Sequence, residues 1–236
     1  MLSLNWPVPI ATYQLAEANE VNAVLARVFQ ALRMTDALNA EQPSDFDVEK
    51  TTSKGFYASD DQLLKRIDLP EFHQLIKFFA DSVQKTVGSV NKDVWPPGKI
   101  SLQLEILGCW FQIQNGMAFH DVHTHGNCSW SGVYYVQVDD APERVKHPEL
   151  AEKNGVTRFY GPYSQWQAGA HMDIGNAYLQ VNTVDVAPEA GKLVLFPAYL
   201  PHMAMPYEGE RDRIIVSFNV QVHAPQGDQI FRFAAK

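Results

Sequence analysis

From residue 101 onward the chain is a succession of short alternating segments punctuated by turn residues, and this pattern constrains the fold more than any other feature. After Pro96-Pro97-Gly98, Leu102, Leu104 and Ile106 alternate with Ser101, Gln103 and Glu105, the period of a half-buried strand. Further strands are expected over 110–114, 131–138, 157–160, 178–186, 192–196, 202–205 and 213–222. Asn115-Gly116, Gly126-Asn127, Glu189-Ala190-Gly191 and Glu208-Gly209 supply the turns between them. Many short strands with helices confined to one end of the chain imply a β-barrel or sandwich carrying a helical layer.

The helices precede the strands. Val21, Val24, Leu25, Val28, Phe29 and Leu32 recur at helical spacing. A second helix is expected from Pro70, with Phe72, Ile76, Phe79, Val83 and Val87 as its apolar stripe and Gly88 as its stop. Between them, 51–57 shows no period and reads as an ordered loop. The charged stretch 141–154 reads as a surface loop or short helix, and the Gly- and Ala-rich stretch 161–176 as a longer loop. A length of 236 residues suits a single domain, 1–236. It divides into an N-terminal helical layer (1–97), a β core (98–224) and a C-terminal tail (225–236).

Composition narrows the partners. Apolar residues make up 46% of the chain, enough for a real core, and 27 acidic residues outnumber 19 basic ones. A net charge of −8 argues against nucleic acid, which needs a basic face. Cys109 and Cys128 have no metal-type spacing and fit a reducing compartment. With no charged signal start and no apolar run of membrane-spanning length, the expectation is a cytoplasmic protein without a membrane partner.

Ligand-type side chains concentrate in His120-Asp121-Val122-His123-Thr124-His125. On an extended segment residues two apart share a face, so His123 and His125 can reach one metal together. Asp121 has the same parity and is the alternative ligand; His120 has the opposite parity. A polar turn with solvated imidazoles explains the same letters equally simply. A strand also ends at Pro197, and the next begins at His202. If Pro206-Tyr207-Glu208-Gly209 forms a hairpin centred between Tyr207 and Glu208, His202 lies opposite Arg213 and faces the same side. Arg211 shares that parity, and the register selects Arg213. On the following strand Ile214, Val216, Phe218, Val220 and Val222 take one face. Arg213, Ile215, Ser217 and Asn219 take the other, a mixed face suited to a ligand-binding interior.

The run His123-Thr124-His125, Trp130-Ser131-Gly132-Val133-Tyr134-Tyr135-Val136, Leu195-Phe196-Pro197, His202 and Arg213 through Asn219 resembles the 2-oxoglutarate and Fe(II)-dependent oxygenases. It is most similar to their bacterial and phage branch with a His-x-His and an SGVYYV strand. The resemblance covers roughly 110–222, and Gly55-Phe56-Tyr57 shares it more weakly. It implies a double-stranded β-helix, a jelly-roll or cupin-like barrel. It places the metal ligands at His123, His125 and His202, and the residue that grips the far carboxylate of 2-oxoglutarate at Arg213. Tyr135, Ser217 and Asn219 are further candidates for cosubstrate contact, because Ile215 stands where some relatives carry a serine. The implied cofactors are Fe(II), 2-oxoglutarate and dioxygen; the implied reaction is hydroxylation of a small-molecule or peptide substrate with release of succinate.

His125 replaces the usual carboxylate ligand, and three imidazoles remain compatible with Fe(II). The same three ligands also describe catalytic zinc in a hydrolase or lyase, and a barrel that only binds a ligand is the third reading. Trp166 and His171, in the 161–176 loop, are candidates for a lid or substrate contact. His73, His147 and His223 read as ordinary surface histidines. Oligomeric state and substrate identity are not encoded in any pattern found.

Overall fold

Two antiparallel sheets face each other, with two long helices laid across the outside of the larger one. The computed structural model describes residues 8–39, 55–95, 100–161 and 182–224. Among the described residues ten strands follow in chain order: β1 (Ala11–Gln14), β2 (Phe56–Ala58), β3 (Gln103–Gln114), β4 (Ala118–His123), β5 (Trp130–Gln137), β6 (Thr157–Tyr160), β7 (Thr183–Val186), β8 (Lys192–Pro197), β9 (His202–Tyr207) and β10 (Arg213–His223). The larger sheet has the order β1-β8-β5-β10-β3-β2 and the smaller β4-β9-β6-β7. This is the two-sheet arrangement of a jelly roll.

Helix α1 (Ala18–Asn39) and helix α3 (Pro70–Asn91) cover the outer face of the larger sheet, with the single turn α2 (Leu63–Arg66) between them. Pro70 opens α3, where its missing N–H costs nothing. Gly88 does not stop this helix, which runs on to Asn91. A lone glycine weakens a helix by only about 1 kcal/mol, too little to end a turn already held by buried Val83 and Val87. The contact between layers is aromatic. Phe29 stacks on Phe111 at 4.6 Å, and Phe79 stacks on Phe218 at 4.3 Å. Asn22, buried on α1, accepts a hydrogen bond from the Tyr134 hydroxyl at 2.8 Å.

Strand alternation sorts the side chains between two environments. On β10, Ile214, Val216, Phe218 and Val220 join the helix-facing core, while Ile215 packs with Val133, Tyr135, Val194 and Phe196 between the sheets. Gly132 is required by this packing: a Cβ there would collide with the Phe218 ring and approach Leu195 Cδ2 to 2.9 Å.

Four expectations change. The first hundred residues are not purely helical, since β1 and β2 join opposite edges of the larger sheet. Phe56 and Tyr57, expected in a loop, pair with Gln114 and Ile113; a three-residue edge strand is too short to show a period. The segments expected over 101–106 and 110–114 are one continuous strand, β3. The largest change concerns His202 and Arg213, which are not hairpin partners. Strand β9 pairs with β4 and β6, whereas β10 pairs with β3 and β5. The chain between them therefore crosses from one sheet to the other. Asp139 pins this crossing by accepting hydrogen bonds from the Glu210 and Arg211 amides at 2.7 and 3.2 Å. The 141–154 stretch contains a helical turn, α4 (Ala141–Arg144), and a 3₁₀ turn at Ala151–Lys153.

Candidate active site

Between the sheets, near one end, lies a pocket whose lining includes His120, His123, His125, His202, Gln112, Thr157, Arg213 and Ser217. One nitrogen from each of His123, His125 and His202 falls within 4.8 Å of the others. Among the described residues no other group of histidines, cysteines and carboxylates is close enough to hold a metal.

Two of the imidazoles are held by strands and the third by the segment that follows β4. His123 ends β4 and pairs directly with His202 at the start of β9. His125 lies just beyond β4, where its backbone amide donates to the Ala198 carbonyl at 2.9 Å and ties this segment to the β8–β9 loop. The Nδ1 atoms of His123 and His202 lie 2.7 and 3.0 Å from the Asp121 and Leu200 carbonyls. A carbonyl only accepts, so each Nδ1 carries the proton, and each Nε2 is left with a lone pair. Phe196 and Phe159 pack on the His202 ring at 4.5 and 5.9 Å. Burial, reinforced by the neighbouring His123 ring, pushes the His202 pKa down to about 3 and that of His125 to about 4. Burial also lowers His123, against the pull of Asp121. Three neutral imidazoles, two of them with Nε2 left free by their tautomers, form a donor set for a borderline divalent metal.

Asp121, the alternative ligand, is exposed, and its carboxylate accepts from the Val122 amide at 2.6 Å. It stands outside the cluster and contributes its backbone carbonyl to His123. His120 enters the cavity although simple alternation turns it away. Between His120 and His123 the β4–β9 register shifts, three residues on β4 spanning two on β9. That bulge reverses the parity and stacks the His120 ring on His123 at 4.0 Å.

Arg213 opens β10 with 1% of its surface exposed. Its Nη1 donates to Gln114 Oε1, and its guanidinium carbon lies 5.1 Å from the centre of the Tyr135 ring. Nε and Nη2 are buried without a partner, and burial lowers the guanidinium pKa. An unpaired buried arginine is costly; two unsatisfied donors beside a cavity describe a receptor for an anion. Arg211 is half exposed and pairs with Asp139 at 3.1 Å, so burial separates the two arginines.

Tyr135 is buried, its hydroxyl 2.6 Å from Thr157 Oγ1. Ser217 lines the cavity, whereas Asn219 accepts a hydrogen bond from Ser131 at 2.8 Å. Trp166 and His171 lie outside the described residues. His73, His147 and His223 pair with surface carboxylates at 3.1, 3.2 and 3.3 Å. The sequence reading did not single out Gln112, Gln114 or Thr157, and it set His120 aside on parity, which the bulge overturns. Gln112 and Gln114 did leave a signal, two polar residues at one parity of a strand whose other parity is Phe111 and Ile113.

Residues 108–219 match the family described as "Putative 2OG-Fe(II) oxygenase". Sequence comparison with curated proteins finds no match. Among solved structures the chain is similar to a prolyl-4-hydroxylase from Pseudomonas putida, with TM-score 0.53 and 15% identity over 91% of this chain and 92% of that one. It is also similar to the non-haem α-ketoglutarate-dependent epimerase SnoN of nogalamycin biosynthesis (TM-score 0.55, 13% identity, 97% and 85% covered). A third is HygX from Streptomyces hygroscopicus, solved with nickel and 2-oxoglutarate (TM-score 0.51, 13% identity, 91% and 82% covered).

Proposed function

We propose that this chain, whose residues 108–219 match the 2OG-Fe(II) oxygenase family, is a 2-oxoglutarate-dependent non-haem iron dioxygenase that hydroxylates its substrate. His123, His125 and His202 would hold the iron, and Arg213 the distal carboxylate of 2-oxoglutarate. The observation that carries this reading is the buried Arg213 with Nε and Nη2 unpartnered, lining the same cavity as three neutral imidazoles.

The residues fit the groups they would receive. Two Nδ1–carbonyl contacts set the tautomers that leave Nε2 free to ligate. A guanidinium with two free donors can grip a carboxylate through two charge-assisted hydrogen bonds. When bound, iron and 2-oxoglutarate supply an oxidant from dioxygen, with decarboxylation to succinate. The chain's own tasks are orientation and exclusion of water. Phe159 and Phe196 fix the His202 ring, Val133 and Ile215 give the cavity apolar walls, and Gln114 and Tyr135 hold Arg213 in place.

A three-histidine zinc hydrolase would use the same ligands but would leave Arg213 without an anion to bind. A barrel that only binds a ligand would have no use for the matched tautomers. The deciding experiment adds Fe(II) and 2-oxoglutarate to metal-free protein without oxygen and follows the visible charge-transfer absorption, then admits oxygen and measures succinate. No band and no succinate, with zinc bound in preference, would sink the proposal.

A further inference from the structure

We infer that Gln114 is a positioning residue that selects a dicarboxylate, by holding Arg213 without neutralising it. The inference rests on the cosubstrate role proposed for Arg213 and concerns how that role is made specific.

Gln114 and Arg213 are cross-strand partners on β3 and β10, and Gln114 is fully buried. Its amide bridges two groups. Nε2 donates to the Ala118 carbonyl at 2.9 Å, and Oε1 accepts from Arg213 Nη1. The carbonyl can only accept and the guanidinium can only donate, so the amide has one possible orientation. Buried arginines are normally paired with a carboxylate. Here the partner is a neutral oxygen that fixes one corner of the fork and leaves the charge uncompensated. Among the described residues no carboxylate acts on Arg213 to supply the missing negative charge. The groups acting on Arg213 are the Tyr135 and Tyr207 hydroxyls. Arg144, buried and bonded through Nη1 to the Asn154 carbonyl at 2.6 Å, adds a field of the same sign. The cavity lined by Arg213 therefore carries positive charge, and Nε and Nη2 of that residue are donors without a hydrogen-bond partner.

A carboxylate in place of the Gln114 amide would satisfy Arg213 internally and repel an incoming anion. A neutral partner therefore makes a ligand with a second, distal carboxylate bind more tightly than a 2-oxo monoacid of similar size. The chelating end of either ligand would be indifferent to residue 114.

The test uses the full chain loaded anaerobically with Fe(II), titrated with 2-oxoglutarate and separately with 2-oxobutanoate, which lacks the distal carboxylate. Gln114→Glu is expected to weaken 2-oxoglutarate at least about thirty-fold, with 2-oxobutanoate held within about two-fold. Gln114→Met, which removes the acceptor without adding charge, is expected to weaken 2-oxoglutarate roughly three-fold to ten-fold. Fe(II) affinity, measured alone, is expected to stay at the wild-type value in both. Wild-type affinity for 2-oxoglutarate in Gln114→Glu, or equal loss of both ligands, would overturn the inference. Should Gln114→Glu fail to load iron, unchanged 2-oxoglutarate affinity in Gln114→Met would overturn it instead. Wild-type protein that binds iron but no 2-oxoglutarate would refute the proposed function itself, a result distinct from any of these.

Discussion

His123 and His202 are direct partners across the antiparallel strands β4 and β9, with ring centres 4.3 Å apart. Main-chain pairing therefore pre-sets the distance between two of the three imidazoles, and only His125 depends on a loop. Alanine at His123, His125 or His202 is expected to reduce Fe(II) affinity by about 100-fold or more, because two remaining imidazoles make a weak site. Asp121→Asn is expected to retain iron, since the carbonyl at that position serves His123 and the carboxylate does not. Equilibrium dialysis of each variant against Fe(II) measures both. Iron retained in His125→Ala but lost in Asp121→Asn would reverse the ligand assignment.

Arg213→Ala is expected to weaken 2-oxoglutarate by roughly thirty-fold to a thousand-fold, about 2–4 kcal/mol, while leaving iron bound. Lysine there should restore only part of the affinity, because a point charge cannot reproduce the fork. Arg211→Ala should have little effect, its side chain being half exposed and engaged with Asp139. Titration followed through the charge-transfer band distinguishes the three.

Stability of the metal-free protein should fall in acid. The pKa values of His202 and His125 lie at about 3 and about 4 in the fold, against 6.5 as the ordinary value. Between those limits the unfolded chain binds more protons than the folded one, so stability rises with pH. The contribution of these rings is complete above pH 6.5, declines as pH falls toward 4, and has no further slope below their folded values. Urea midpoints at about pH 7.5 and about pH 4.5 should differ more in the wild type than in His202→Asn. An equal difference in the two proteins would contradict this.

Gly132→Ala should destabilise the fold by about 1–3 kcal/mol through overpacking. The new methyl would meet Phe218, which is itself stacked on Phe79 at 4.3 Å and has little room to retreat. Chemical denaturation reads the change directly, and a stability equal to wild type would show that the two aromatic rings can shift.

Much of the site is legible in the letters because strand alternation is local. The sequence alone determines that Arg213, Ile215 and Ser217 share one face while Ile214, Val216 and Phe218 share the other, and that two histidines two apart can act together. It also determines the apolar stripes of α1 and α3. Alternation says which way a side chain points, never which strand lies beside it. Only the tertiary structure decides that β9 leaves β10 for the other sheet, so that His202 meets His123 rather than Arg213. Only the β4–β9 register reveals the bulge that turns His120 inward. Only the pairing of β3 with β10 brings Gln114 to Arg213, across 99 residues of chain. These choices depend on which distant surfaces bury one another best, a free energy summed over the whole core and written in no single segment.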